Sequence, residues 1–385
     1  MPDDVSTVLF VGLRRPELEW AAEIDAAVAL GFRVKVASDA KLDHTGLPES
    51  RRIPFAKNGS LEQTSAAIVA VTDAPAAVLC WGDRYVGLTA RLADDWGVRG
   101  VSAGAAEVCT DKIAQRTALE PLGLNPRWSA GSTVDELRSA VAELELPLVF
   151  KLAHCSGGRG TTLLDETADL DEVFKQTSLN YVDSDAFLVE GFAEGTEHSV
   201  SGVVADGVVR VLGVTDKLVT GFETWGTVAP SARAAEDVTR IEEAAAAAVT
   251  AVGIRSGGFH VDLRFTESGP VVLEVGARLG GDTINSHLLP LASQGTVRPY
   301  EALVVALTTG ELPEPGTFPA AAAMLVLPAL HRSPAEAVAR AQEHPGVRHA
   351  EDWSTAESTA IAAILVVDEP AELAAVIEDV RGWLR

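Results

Sequence analysis

The first hundred residues alternate short apolar runs with segments of helical spacing. The apolar runs, typical of buried strands, lie at residues 5–11, 32–38 and 76–81. The helical segments lie at residues 17–30 and 84–96. This order predicts a doubly wound α/β domain over residues 1–105.

The pattern changes after residue 105, where helices and strands no longer alternate regularly. Helices are predicted at 111–122, 169–179, 237–252, 334–343 and 371–384, and strands within 146–164 and at 186–190, 320–327 and 360–367. We divide this part into a smaller unit at 106–187, a larger one at 188–310 and a carboxy-terminal α+β region at 311–385.

One hairpin has acidic residues inside segments that otherwise resemble buried strands. Two runs of period two, at 259–265 and 271–276, flank the breaker-rich sequence TESGP. Strict alternation predicts a core face made of Phe259, Val261, Leu263, Phe265, Val271, Leu273 and Val275. It predicts a second face made of His260, Asp262, Arg264, Glu274 and Gly276.

The predicted register places Asp262 directly opposite Glu274. Facing carboxylates repel unless a positive group lies between them or above them. A divalent cation such as Mg²⁺, which prefers oxygen ligands, is one candidate. The alternative is a structural cluster in which Arg264 or His260 neutralises the pair.

Composition and net charge limit the kinds of molecule that the chain is expected to bind. The chain has 385 residues, is 47% hydrophobic and carries a formal net charge of -24, which argues against nucleic acid or an anionic membrane as a partner. It has no apolar stretch of the roughly 18 to 20 residues needed for a membrane span, and its first twenty residues lack the features of a signal peptide. The three cysteines are isolated in sequence, which indicates a reducing cytoplasm and no zinc site.

A glycine-rich turn follows a strand that ends near Lys151. Backbone amides at Ser156, Gly157, Gly158 and Gly160 would form a concavity suited to an anion such as phosphate, although the pattern is not of the Walker type and an ordinary turn is the alternative.

Lysine is rare in this chain. Of only seven lysines, Lys112 and Lys151 lie in largely apolar contexts beside the ends of elements, where each offers a compact positive charge to a phosphate.

Glu190 ends an apolar strand, and Glu197 follows seven residues later. Both are acceptors that suit the hydroxyl and amino groups of a nucleoside. Solvated loop carboxylates are the alternative.

In combination these segments resemble the ATP-grasp superfamily of carboxylate–amine ligases. The resemblance covers roughly residues 5–310 and rests on TDKIAQRTALEPLGLNP, LVFKLAHCSGGRG, LVEGFAEGTEHSV and HVDLRFTESGPVVLEVGARLGGD. It implies an α/β and α+β multidomain ATP-grasp fold, with a doubly wound amino-terminal domain, two central subdomains and a small carboxy-terminal α+β region.

The resemblance also implies roles for individual residues. Lys112, Lys151 and the 156–160 loop would contact the phosphates of ATP. The adenosine contacts would be Glu190, Gly191 and Phe192 for adenine, Glu197 for ribose, and Leu273. Asp262 and Glu274 would hold one or two Mg²⁺ ions, with Mn²⁺ as a substitute.

Within the superfamily, VTDKLVTGFETWGTVAPS and the pairing of GGFHVD with EVGARLGGD look most like the L-amino-acid ligases. By that likeness Arg278 would steady a phosphorylated carboxylate and His260 would lie near the substrate. Gly281 and Asp282 would line the substrate pocket, with helix capping as the alternative for Asp282. The chain departs from many members at Gly276, where they have an Asn, and this leaves the number of metal ions open.

The implied activity is amide formation between an amino acid or related carboxylate and an amine, through an acyl phosphate, by a cytoplasmic enzyme. By analogy with relatives it would be a homodimer. The alternatives are a carboxylating or purine-pathway ATP-grasp enzyme, which would use bicarbonate or a nucleotide intermediate, and a non-catalytic ATP-binding module.

Overall fold

The computed structural model describes residues 5–57, 59–155, 160–180, 186–329, 333–354 and 359–384, with backbone alone at 176–180. Within these ranges, no helix combines the length and the apolar character that crossing a membrane requires.

The amino-terminal sheet is parallel, with the strand order β3-β2-β1-β4. Its strands are β1 (Thr7–Val11), β2 (Arg33–Ser38), β3 (Arg52–Pro54) and β4 (Ala77–Cys80). Its helices are α1 (Glu17–Ala29), α2 (Leu61–Val69), α3 (Val86–Trp96) and α4 (Ala103–Thr110). Residues 8–11 of β1 are fully buried, because a parallel sheet is covered on both faces. The predicted strands and helices of this unit are confirmed; β3, α2 and α4 were not predicted.

A small antiparallel sheet with the order β5-β8-β6-β7 follows. Its strands are β5 (Trp128–Gly131), β6 (Leu148–Leu152), β7 (Thr161–Leu164) and β8 (Phe187–Gly191), and the helices are α5 (Lys112–Leu119), α6 (Val134–Leu144) and α7 (Leu170–Asn180). Leu137 of α6 is fully buried with Phe150 and Phe187 of the sheet, which fixes the sheet against the helix.

The third sheet has eight antiparallel strands in the order β13-β12-β9-β10-β11-β14-β16-β15. The strands are β9 (Thr196–Ala205), β10 (Val208–Thr220), β11 (Glu223–Ala229), β12 (Gly257–Thr266), β13 (Gly269–Gly276), β14 (Ala321–Pro328), β15 (Val347–Asp352) and β16 (Ala360–Val367). The helices are α8 (Ala235–Ala251), α9 (Leu289–Ala292), α10 (Pro299–Thr309), α11 (Pro334–Gln342) and α12 (Leu373–Leu384). Because β14 pairs with β11, the carboxy-terminal strands extend the sheet that contains the acidic hairpin.

The hairpin β12–β13 confirms one prediction and corrects another. Asp262 pairs with Glu274 as predicted, but a bulge after Asp262 shifts the register, so Leu263 pairs with Val272. Val272 is therefore fully buried, and Val271 and Leu273 leave the predicted core face. One extra residue reverses the alternation of a strand, which strict periodicity misses. The bulge turns Leu273 into the cleft described next.

Candidate active site

A cavity of about 1010 Å³ opens where the three sheets meet. We call it the central cleft. Its wall carries most of the predicted site residues together with several acidic and basic groups: Asp83, Lys112, Lys151, Glu190, Gly191, Phe192, Glu197, Lys217, His260, Asp262, Arg264, Leu273, Glu274, Arg278 and Asp282.

Glu190 on β8 pairs with two basic side chains at one end of the cleft. Its Oε1 contacts Lys151 Nζ on the adjacent strand β6, and its Oε2 lies 2.8 Å from Arg116 Nε. Burial would raise the pKa of Glu190, but Lys151 and Arg116 outweigh it and lower that pKa to about 2. Arg116 is fully buried and also donates to the carbonyl oxygen of Leu273. Sequence reasoning missed Arg116, although its place one turn after Lys112 on α5 was a signal.

The facing carboxylates of the hairpin each meet a lysine. Glu274 Oε1 lies 3.0 Å from Lys112 Nζ, which also donates to the carbonyl oxygen of Cys155 at 2.6 Å. Asp262 Oδ2 lies 2.9 Å from Lys217 Nζ on β10. The positive groups next to the two hairpin carboxylates are therefore lysines from distant segments. Arg264, the predicted alternative, pairs instead with Glu197 at 3.2 Å.

The charge around Asp262 favours its ionised form. Burial raises the pKa of Asp262, but Lys217 outweighs this effect and the pKa falls to about 2. The pKa of Lys217 is raised because Asp262, Asp282 and Glu197 together outweigh its burial. Sequence reasoning missed Lys217, whose position inside the quoted VTDKLVT segment was the available signal.

The hairpin carboxylates fit a divalent cation. Asp262 Oδ1 is buried without a hydrogen-bond partner among the described residues, and its cross-strand neighbour Ser199 helps to lower the pKa of Asp262. The described ranges contain no group of three or more His, Cys, Asp or Glu side chains that could hold a metal alone. Two carboxylates with a free oxygen match Mg²⁺, which is commonly held by one or two carboxylates together with substrate phosphates.

Gly276 stands directly across the hairpin from His260. A Cβ atom at Gly276 would lie 2.1 Å from His260 Cε1, so the imidazole fills the space that any side chain at 276 would need. This gives the sequence departure at this position a physical reason. His260 is itself buried, and burial together with Arg278 lowers its pKa, which favours the neutral imidazole.

Arg278 is held by an acid from the amino-terminal sheet. Its Nε lies 2.9 Å from Oδ1 of Asp83, just after β4, and its second guanidinium contact is to Asp83 Oδ2. Although burial raises the pKa of Asp83, Arg278 lowers it to about 2. Asp83 was not predicted, because nothing near it in sequence marks it as a partner of Arg278.

The loop 279–283 carries Asp282 into the cleft and has unusual backbone geometry. Asp282 and Thr283 both adopt left-handed conformations, with φ of 56° and 55°, which is costly for residues other than glycine. Thr283 is the N-cap of the π-helical turn Ile284–Leu288 and makes no capping hydrogen bond with its side chain. Gly281 has open space around its missing Cβ.

A buried cluster after β1 and on α1 holds this loop. Arg14 donates to the carbonyl oxygens of Leu279 and Gly280 at 2.6 and 2.8 Å. Glu19 Oε1 accepts from the amide of Thr283 at 2.8 Å and pairs with Arg14 through its other oxygen. Arg14 also contacts Glu23 on α1 and donates to the hydroxyl of Tyr300 on α10. We call Arg14, Glu19, Glu23 and Tyr300 the loop clamp; sequence reasoning missed all four.

The glycine-rich turn lies partly outside the described residues. Ser156, Gly157 and Gly158 are not described, so their predicted role stays a prediction. Gly160 is described and has a φ of 66°, a left-handed conformation that suits glycine, with its carbonyl oxygen bonded to the amide of Leu152.

Parts of the chain are similar in sequence to a known domain family and to curated ligases and synthases. Residues 144–286 match the family model described as ATP-grasp domain. The chain is 28% identical over 236 residues to human carnosine synthase 1, covering 55% of this chain and 28% of that protein. It is 25% identical over 222 residues to the alanine–anticapsin ligase of Bacillus subtilis, covering 51% of this chain and 47% of that one. The chain thus spans less than half the length of these curated relatives.

The fold itself has close solved counterparts. An L-amino acid ligase from Bacillus licheniformis superposes with a TM-score of 0.81 and 18% identity, covering 99% of this chain and 98% of that chain. A biotin carboxylase from Campylobacter jejuni gives 0.73 and 14%, covering 97% and 90%. The predicted ATP-grasp fold is confirmed, and since a carboxylase shares it, the fold alone does not select the reaction.

Proposed function

We propose that this chain, whose residues 144–286 match the ATP-grasp domain model, is a carboxylate–amine ligase that joins the carboxylate of an amino acid, or a related acid, to an amine and converts ATP to ADP and phosphate. The strongest support is the pair of lysine–carboxylate contacts, Lys217 with Asp262 and Lys112 with Glu274, on the wall of the same cleft as Arg278. The curated relatives, which include ligases of amino-acid substrates, point to the same chemistry.

The nucleotide would lie along the β6–β8 end of the cleft. Lys112 and Lys151 would contact its phosphates, with Gly160 and the preceding turn. Glu190, Gly191, Phe192 and Leu273 would surround the adenine, and Glu197 would bind the ribose. Each of these residues except Gly160 lines the central cleft.

Asp262 and Glu274 would hold one or two Mg²⁺ ions, or Mn²⁺ in their place. The ion supplies charge neutralisation to the phosphates of ATP. Lys112 and Lys217, which pair with these carboxylates, would turn toward phosphate oxygens. Lys217 thus joins the phosphate contacts that the sequence analysis named.

Two steps complete the reaction. A carboxylate oxygen of the acid bonds to the γ-phosphorus of ATP as the bond to the bridging oxygen breaks, which gives an acyl phosphate and ADP. The amine then attacks the acyl carbon, loses a proton, and phosphate leaves with the electrons of its bond to carbon. Arg278 would balance charge on the phosphorylated carboxylate beside the neutral His260, and positioning supplies most of the catalysis.

The test is phosphate release from purified protein with Mg-ATP and amino acids supplied singly and in pairs, followed by mass spectrometry. We expect release that requires a pair and a product lighter than the sum of the two by one water. Release that requires bicarbonate instead would establish a carboxylating enzyme, and ATP binding without any release would establish a binding module. The same preparation, run by light scattering, tests the proposed homodimer.

The proposed location is the cytoplasm. The three cysteines form no disulfide with one another; Cys80 and Cys109 are buried and Cys155 is partly exposed. Recovery of the native protein with all three thiols reduced is the expected result.

A further inference from the structure

Asp83 is a cleft carboxylate to which neither the sequence nor the proposed reaction assigns a role. It comes from the amino-terminal sheet, lines the central cleft and forms a two-point pair with Arg278. The side chains of Asp83 and Arg278 retain 26% and 14% of their exposure, so both can be reached from the cleft. The pKa of Asp83 is held low beside Arg278, so an anion and a cation stand in contact on one wall.

We propose that Asp83 binds the α-ammonium group of an amino acid whose carboxylate is bound by Arg278. This inference rests on the proposed function and names the substrate of the first step as an α-amino acid zwitterion. Asp83 is thereby a determinant of substrate specificity.

The geometry of the pair matches the geometry of a zwitterion. In an α-amino acid the ammonium nitrogen is only two bonds from the carboxylate carbon, so its two charges must be met by neighbouring groups of opposite sign. Asp83 Oδ1 and Arg278 Nε are 2.9 Å apart. A small movement of either side chain lets each exchange its present partner for the matching charge of the substrate.

This exchange leaves no buried charge without a partner. When a zwitterion enters, the Arg278–Asp83 pair is replaced by an Arg278–carboxylate pair and an Asp83–ammonium pair. An acid that lacks the amino group would displace Asp83 from Arg278 and leave its carboxylate unpaired, which carries a large penalty. The pair therefore selects amino acids over simple carboxylic acids.

The other acids of the cleft are less suited to this role. Glu190, Asp262 and Glu274 each contact a lysine at the nucleotide and metal end. Asp282 also lines the cleft, but its charge acts on Arg14 and Lys217. Of these acids, only Asp83 touches Arg278.

The experiment uses hydroxylamine as the amine, so that hydroxamate formation reports activation of the carboxylate alone. The twenty amino acids are screened with the wild-type protein and Mg-ATP, and the best of them is compared with its des-amino acid, such as alanine with propionate. Asp83→Asn keeps the shape and one acceptor for Arg278. Asp282→Asn, the same substitution at another aspartate of the cleft, is assayed beside it.

We expect the wild type to prefer the amino acid in kcat/KM, and Asp83→Asn to reduce that preference about ten- to hundredfold, the range of one charge-assisted hydrogen bond. Asp282→Asn should leave the ratio unchanged. If Asp83→Asn lowers kcat/KM equally for the amino acid and for its des-amino acid, Asp83 only positions Arg278 and the proposal is overturned. A changed ratio in Asp282→Asn alone would also overturn it, since the ammonium would then lie there.

The proposed function can fail separately from this inference. If the wild type makes no hydroxamate from any acid, calorimetry with Mg-ADP present measures the binding of the alanine and propionate pair. Tighter binding of alanine that is lost in Asp83→Asn supports the inference even then. Equal binding of the two, or binding of neither, overturns it.

Discussion

The two ends of the central cleft are built in different ways. At the nucleotide and metal end, Glu190, Asp262 and Glu274 lie on paired strands, and the lysines that meet them come from β6, β10 and α5. At the substrate end, Arg278 and the loop 279–283 are held by Asp83 and the loop clamp, all from outside the eight-stranded sheet.

This difference indicates that the two ends of the cleft have different roles. Buried ion pairs contribute little net stability, since desolvation offsets their attraction, so the lysine–carboxylate pairs at the nucleotide end are best explained by the phosphates they would meet. The loop clamp instead binds backbone groups of a costly left-handed segment, which fixes the shape of the substrate pocket. Changes at the first end should lower kcat, and changes at the second should mainly raise KM for the substrate.

The largest effect is expected from Glu274→Ala, which removes a carboxylate from the proposed metal site. We expect phosphate release to fall by at least about 1000-fold, with a melting temperature close to that of the wild type. The matched control is Glu267→Ala in the exposed hairpin turn, which should keep full activity. A fully active Glu274→Ala protein would remove the metal hypothesis.

A smaller loss is expected from Lys217→Ala, because Asp262 would lose its cation and the phosphates one contact. We expect kcat to fall about 100-fold, while KM for the amino acid changes little. Lys41→Ala, at an exposed position, controls for loss of charge. Should KM rise alone, the assignment of Lys217 to the nucleotide end would be wrong.

At the substrate end, Glu19→Ala would leave the amide of Thr283 without its acceptor. We expect a loss of about 1–3 kcal/mol in the free energy of unfolding and a roughly tenfold rise in KM for the amino acid, with KM for ATP unchanged. Steady-state kinetics and urea denaturation measure both.

Two controls sharpen this prediction. Glu19→Gln keeps an acceptor and should be milder, and Asp25→Ala on the exposed face of α1 should have no effect. An equal rise of KM for ATP in Glu19→Ala would contradict the separation of the two ends.

The smallest effect on activity is expected from Glu23 in the loop clamp, whose titration acts on stability. Burial raises the pKa of Glu23 from 4.5 to about 8, with Glu19 adding to the rise and Arg14 opposing it. The folded protein thus binds a proton that the unfolded chain releases, so this contribution to stability is full below the ordinary pKa and is lost as pH rises through about 8. Relative to Glu23→Gln, the wild type should lose up to about 1.4 kcal/mol of unfolding free energy per pH unit over this window.

Urea denaturation of both proteins from pH 5 to 9 measures this difference. Parallel pH profiles would show that Glu23 is ionised in the folded state throughout. In that case the loop clamp would hold two ionised carboxylates around Arg14.

The sequence predicted many of the elements and the acidic hairpin because these depend on local spacing. The apolar runs of β1, β2 and β4 and the pairing of Asp262 with Glu274 all follow from periodicity and one turn. The bulge after Asp262 escaped prediction because a single inserted residue leaves no mark in the pattern of polar and apolar positions. It changed which face Val271 and Leu273 occupy.

The sequence by itself therefore determined the fold class, the family resemblance and the carboxylates and lysines carried by recognisable motifs. Only the tertiary structure decided their partners: Lys217 for Asp262, Arg116 for Glu190, Asp83 for Arg278, and Arg14 and Glu19 for the loop 279–283. The physical reason is distance along the chain. Asp83 and Arg278 are 195 residues apart, and no local pattern records a contact that exists only because separate sheets pack around one cleft.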